Sequence, residues 1–141
     1  MIQRLYWQIQ KLSFLLEKRA DDSLKDQLDI GFAQYKVLEA INQNSLARQN
    51  MIAEMLDQTE ASISRQIKIL EKKGLITVAR VMGNKRAREL SLTRVGEDIV
   101  RQAEHVLEVV QEKTMEGLSY QDQRYLLELF ERMLENTRKS K

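Results

Sequence analysis

Glu60-Ala61-Ser62-Ile63-Ser64-Arg65-Gln66-Ile67-Lys68-Ile69-Leu70-Glu71-Lys72-Lys73-Gly74 is a segment with two unlike faces. Ile63, Ile67 and Leu70 recur at i, i+4 and i+7, so they line one side of a helix. At about 100° per residue, Ala61, Arg65, Lys68 and Lys72 fall on the opposite side. Thr59 suits the N-cap and Gly74 the stop, which predicts a helix over 60–73. One face is built to dock on a core. The other offers small side chains first and cations afterwards, as a helix entering a DNA major groove requires. The segment reads as a recognition helix.

The chain beyond it supplies a second element of the same kind. Leu75-Ile76-Thr77-Val78-Ala79 and Glu89-Leu90-Ser91-Leu92-Thr93 are alternating and rich in strand formers. They predict two short strands around a Gly83-Asn84 turn, a β-hairpin whose tip carries Arg80, Lys85, Arg86 and Arg88. A basic hairpin alone is a weak signal, since charge runs are usually solvated turns. Directly after a two-faced helix it points to a winged helix-turn-helix.

Charge is distributed unevenly. Residues 61–94 hold nine Lys/Arg against two Glu, a net +7, whereas the chain total is +2, so the remainder is −5. Basic charge gathered on a reading head is the electrostatic footprint of phosphate binding.

The stretch Gln49-Asn50-Met51-Ile52-Ala53-Glu54-Met55-Leu56 resembles the first helix of the DNA-reading unit in MarR-type (multiple-antibiotic-resistance regulator) transcription factors. Leu70-Glu71-Lys72-Lys73-Gly74-Leu75 resembles that family's recognition-helix exit. Asn84-Lys85-Arg86-Ala87, then Leu92-Thr93 and Gly96, resembles its wing signature in ungapped register. Each motif is modest, and their order and spacing together are specific. The resemblance covers nearly the whole chain and implies a homodimer joined through its first and last helices. It also implies control by a small molecule, frequently an anionic aromatic, bound between those helices and the reading head. Three departures stand out. Asn84 occupies the usual Asp position that braces the key wing arginine, Val78 a frequent Arg, and Glu60 a basic or neutral position. Glu60 is read either as a carboxylate favoured by the helix dipole or as an acceptor for a cytosine amino group, the former ahead.

Outside the reading head, Ile2, Leu5, Ile9, Leu12 and Leu16 predict a first helix of about four turns, followed by a polar connector from Asp21 to Asp29. Phe32 to Ile41 suggests a second helix, and Gln49 to Leu56 a short third one leading into the recognition helix. After the wing, Val95, Ile99, Val100, Ala103, Val106, Leu107 and Val110 mark a long helix. Ser119-Tyr120-Gln121-Asp122 resembles a capping box with Asp in place of Glu, opening a last helix. The expected fold is therefore mainly α with a small β-hairpin wing. Residues 1–29 and 96–141 are read as dimerisation helices and 30–95 as the DNA-binding region, all within one folding unit. Leu5, Tyr6, Trp7, Leu127 and Phe130 exceed what a small reading domain can cover, and a symmetric partner is the simplest cover.

Composition removes other classes. The sequence has no cysteine and one histidine, His105, which excludes disulfides, thiol chemistry and a His/Cys zinc site within one chain. No metal, cofactor or catalytic residue is expected. There is no nucleophile–base pairing and no phosphate-cradling glycine loop, so an enzyme has almost no support. No apolar run exceeds three residues, which predicts no membrane span or secretory segment and a cytoplasmic protein.

The expected function is a homodimeric, sequence-specific DNA-binding regulator acting on a palindromic operator. On the recognition helix the candidate contacts are Thr59, Ala61, Ser62, Ser64, Arg65, Lys68 and Lys72. Arg65 is the best candidate for a guanine, and Lys68 and Lys72 are assigned to phosphates. Arg86, helped by Lys85 and Arg88, is assigned to the minor groove, with Arg80 alongside. Trp7, Tyr35 and Arg48 are the candidate ligand cleft for a small aromatic or anionic effector, although aromatics at helical spacing are core residues more often than ligand contacts. The alternative is a winged-helix protein-interaction module that does not read DNA.

Overall fold

The computed structural model describes residues 1–140, and of Lys85 and Arg86 the backbone alone. In chain order the elements are α1 (Ile2–Leu28), α2 (Phe32–Asn42), β1 (Ala47–Arg48), α3 (Gln49–Met55), α4 (Glu60–Lys72), β2 (Ile76–Val81), β3 (Asn84–Leu92), α5 (Arg94–Thr114) and α6 (Tyr120–Lys139). The chain divides into two compact units, Met1–Glu108 and Val109–Lys141. The mainly helical architecture with a small antiparallel sheet is the one expected.

In the first unit, Leu24 of α1, Val37 and Leu38 of α2, Ile52 of α3, Ile63 and Leu70 of α4 and Val100 of α5 are fully buried in one core. Each such side chain contributes about 1.5–3 kcal/mol through removal from water. The expected connector at 21–29 is corrected here. Those residues are the last turns of α1, which is 27 residues long, not about four turns. Their polarity misleads because a helix needs only one apolar stripe. Ala20, Leu24 and Leu28 carry that stripe onto the core, while Asp21 and Lys25 pair at 2.8 Å across one turn. Asp29 ends the helix in the left-handed region, at φ 55°.

Asp21 also reaches beyond its own helix. Its Oδ1 accepts the Phe32 N–H at 2.9 Å, satisfying one free donor at the start of α2. The α3–α4 turn is tight because Asp57 adopts φ 51° and Gln58 N–H donates back to the Ala53 carbonyl at 2.9 Å.

The sheet runs in the order β1-β3-β2, all antiparallel. Two-residue β1 pairs Ala47 with Leu90 and Arg48 with Glu89, and its shortness left no pattern to read. β2 and β3 are longer than expected, and their turn lies one residue earlier. Val81 pairs with Asn84, so Met82-Gly83 is the loop, with Gly83 at φ 83°. Arg80 and Arg88 consequently stand on the arms of the hairpin, not at its tip.

One polar junction ties the hairpin base to α4 and α5. Thr93 N–H donates to the Leu75 carbonyl at 3.0 Å, and its hydroxyl donates to the Gly74 carbonyl at 2.7 Å. The same hydroxyl accepts the Gly96 N–H at 3.0 Å, as an N-cap does. A Cβ on Gly96 would overlap the Leu75 carbonyl oxygen, so only glycine allows this approach.

In the second unit, α6 opens with the expected capping box. Ser119 Oγ accepts the Asp122 N–H at 3.1 Å, and Asp122 Oδ2 accepts the Ser119 N–H at 2.9 Å. These bonds hold the Asp122 carboxyl below the usual carboxylate range. Among the described residues of this unit none is buried, although Leu126, Leu127, Phe130, Met133 and Leu134 lie on α6.

Candidate nucleic-acid interface

Capping fixes the start of α4. Thr59 Oγ1 accepts the Ser62 N–H at 3.1 Å, and Ser62 Oγ donates to Gln58 Oε1 at 3.2 Å. Gln49 Nε2, from the first turn of α3, donates to the Glu60 carbonyl at 3.2 Å and pins the two helices at this end. Thr59 and Ser62 therefore already serve the helix terminus with their hydroxyls. Ala61, Arg65, Lys68 and Lys72 are exposed along the outer face, with Ser64 half-buried between that face and the core. Among the described residues Arg65, Lys68 and Lys72 have no ion-pair partner. Glu60 is exposed in the first turn, where the helix dipole favours a carboxylate.

Lys73 is a cation of the +7 segment that points elsewhere. Its Nζ donates to the Asp29 carbonyl at the end of α1 and, at 3.4 Å, to Gln34 Oε1 of α2. Spacing within α4 gave no sign of this anchor, because both partners lie about forty residues away.

At the wing, Asn84 Oδ1 accepts the Ala87 N–H at 3.3 Å. The amide oxygen thus takes part in folding the hairpin end, a role that an Asp oxygen could also fill. Lys85 and Arg86 are in β3, and their side chains lie outside the described residues. Arg80 and Arg88 are exposed.

The three candidate ligand residues do not share one described cavity. Trp7 is 74% exposed on α1. Tyr35 stacks on Phe32 at 6.2 Å between ring centroids, and Arg48 faces Glu89 at 4.0 Å. Burial first, then the charges of Glu39 and Glu104, push the Tyr35 phenol up. A shallow cavity of about 200 Å³ does exist, lined by residues that include Asn42, Ser45, Ser91 and Glu97, and by none of the three.

The sequence over residues 32–87, from α2 into the wing, matches a known family model, that of the MarR family. Those residues are similar to a MarR family domain. Solved structures share its fold over almost their full lengths. S. aureus MepR in complex with DNA is 22% identical, with a TM-score of 0.84, covering 93% of this chain and 96% of that one. A mutant E. coli MarR complexed with operator DNA is also 22% identical, with a TM-score of 0.86, covering 94% and 95%. The transcriptional repressor CouR bound to a DNA duplex is 19% identical, with a TM-score of 0.84 and 92% of each chain covered. The matched stretch spans α2, β1, α3, α4, β2 and the outer end of β3, and it ends at the wing, one residue short of Arg88.

Proposed function

We propose that this chain is a homodimeric DNA-binding transcriptional regulator that recognises a palindromic operator. The observation that carries the reading is the outer face of α4. Arg65, Lys68 and Lys72 stand exposed, with no ion-pair partner among the described residues, on a helix whose start is fixed by Thr59 and Gln49. Arg65 lies nearest the capped end among these cations and donates to a guanine; Lys68 and Lys72 neutralise phosphates. The wing adds Arg80, Arg88 and, from the sequence, Lys85 and Arg86, with Arg86 at the minor groove. The MepR, MarR and CouR structures, each solved with DNA, support the reading.

Residues 30–95 are the DNA-binding region, and 1–29 with 96–141 supply the dimer. The exposed Leu5, Tyr6 and Trp7 of α1, and the unburied apolar face of α6, support a second copy as cover. Control by a small molecule belongs to the same reading, with Trp7, Tyr35 and Arg48 as its first candidates. The carboxylates around Tyr35 favour a neutral or cationic group there over an anionic one. No helix among the described residues is long and apolar enough to cross a membrane, and action on DNA supports a cytoplasmic location. No catalytic turnover is assigned.

Selection of bound sequences from random duplexes at near-physiological salt tests the proposal. A palindrome with half-sites about one helical turn apart is expected. Absence of DNA binding by the folded protein would replace it with a protein-interaction module, and sequence-blind binding that vanishes as salt rises would remove the operator.

A further inference from the structure

Arg80 of β2 and Arg88 of β3 are register partners, directly opposite each other on the hairpin. Residues so opposed share a face of the ladder, with Cβ atoms about 4.5–5.5 Å apart. By alternation it is the face that carries Val78 and Leu90, whose pair packs on the core two rungs inward. Both arginines are exposed, and neither has an ion-pair partner among the described residues. The adjacent acid, Glu89, alternates to the other face and meets Arg48. Like charges directly opposed weaken a strand pair. This hairpin therefore holds a repulsion that an anion can relieve.

We propose that Arg80 and Arg88 form a two-arginine clamp for a single phosphate group of the DNA backbone, separate from the groove contact assigned to Arg86. It rests on the DNA-binding reading above. Two guanidinium groups this close converge on one tetrahedral group, and the shared phosphate replaces their repulsion with two charge-assisted pairs. The clamp makes affinity and stability move in opposite directions.

The test uses the full chain with Arg80→Gln, Arg88→Gln and both together, on the selected duplex. Without DNA at low salt, each single variant should melt about 1–4 °C higher than the parent. On DNA, the slope of log K against log salt should fall by about 1.8 in the double-variant dimer, one phosphate per subunit. A fall near ~3.6 would mean two separate phosphates per subunit and overturn the clamp. Unchanged or lower melting temperatures in both single variants would overturn the stored repulsion. Inorganic phosphate at matched ionic strength separates the two readings, since it should stabilise the parent more than the double variant. If that difference holds while the duplex slope is unaltered, the pair takes free phosphate and the backbone assignment falls. If the parent binds no duplex, the DNA reading itself has failed, and an equal phosphate response in parent and double variant removes the clamp as well.

Discussion

Cations in one segment do different work depending on what each side chain meets. Lys68 is exposed with no ion-pair partner among the described residues, whereas Lys73 grips the end of α1. Lys68→Ala is expected to weaken all DNA sequences alike and lower the salt slope of the dimer by about 1.8, one phosphate per subunit. Lys73→Ala should leave that slope unchanged and instead lower the melting temperature, both read from one set of titrations and melts. Arg65→Ala is expected to cost about 1–3 kcal/mol per half-site and to relax preference at one base pair in each. Equal losses on operator and random duplex would remove Arg65 as a base reader. Asp21 carries a pH dependence. Bonds to Lys25 first and Phe32 second hold its carboxyl below the usual range. A depressed folded value contributes stability above the unfolded pKa and loses it as pH falls through the folded one. Asp21→Asn should thus flatten the acid limb of the stability curve below about pH 4. The effect at neutral pH is small, because the pair is mostly solvated.

At the scale of elements, α4 was legible because Ile63, Ile67 and Leu70 repeat at helical spacing, and all three are buried. The box at Ser119 was legible because both of its bonds are local. The full length of α1 was not, since Leu24 shows its importance only once α2 and α4 supply the core it enters. Likewise, β1 exists only by pairing with β3, more than forty residues later. Of the candidate interface, the outer face of α4 could be read directly, but the capture of Lys73 by Asp29 and Gln34 required the folded chain. The Thr93 junction lies between these extremes. The sequence showed Thr93 and Gly96 as a pattern, and the structure supplies the reason, a backbone approach to Leu75. Gly96→Ala is expected to destabilise by about 1–3 kcal/mol or more through overpacking, measured by denaturant unfolding. A loss under 0.5 kcal/mol would mean that the Leu75 carbonyl shifts freely.

For the molecule as a whole, exposed apolar side chains are the main unsettled surface. Leu127 is 59% and Leu134 55% exposed on α6, while α1 exposes Leu5, Tyr6 and Trp7. Leu127→Asp with Leu134→Asp is expected to convert a dimer to monomers in sedimentation and to abolish tight operator binding, leaving the weak association of a single reading head. An unaltered dimer would place the interface elsewhere.

The grip of Lys73 on the carbonyl of Asp29, the residue that caps α1, has a geometric consequence. In the proposed dimer, one end of that 27-residue rod meets the other copy, and the opposite end is fastened to the helix that touches bases. Each subunit then behaves as one leg of a pair of dividers, opened to a set span before any DNA arrives. Such an instrument measures distance as well as letters, so inserting a few base pairs between half-sites should be rejected even when both half-sites are perfect.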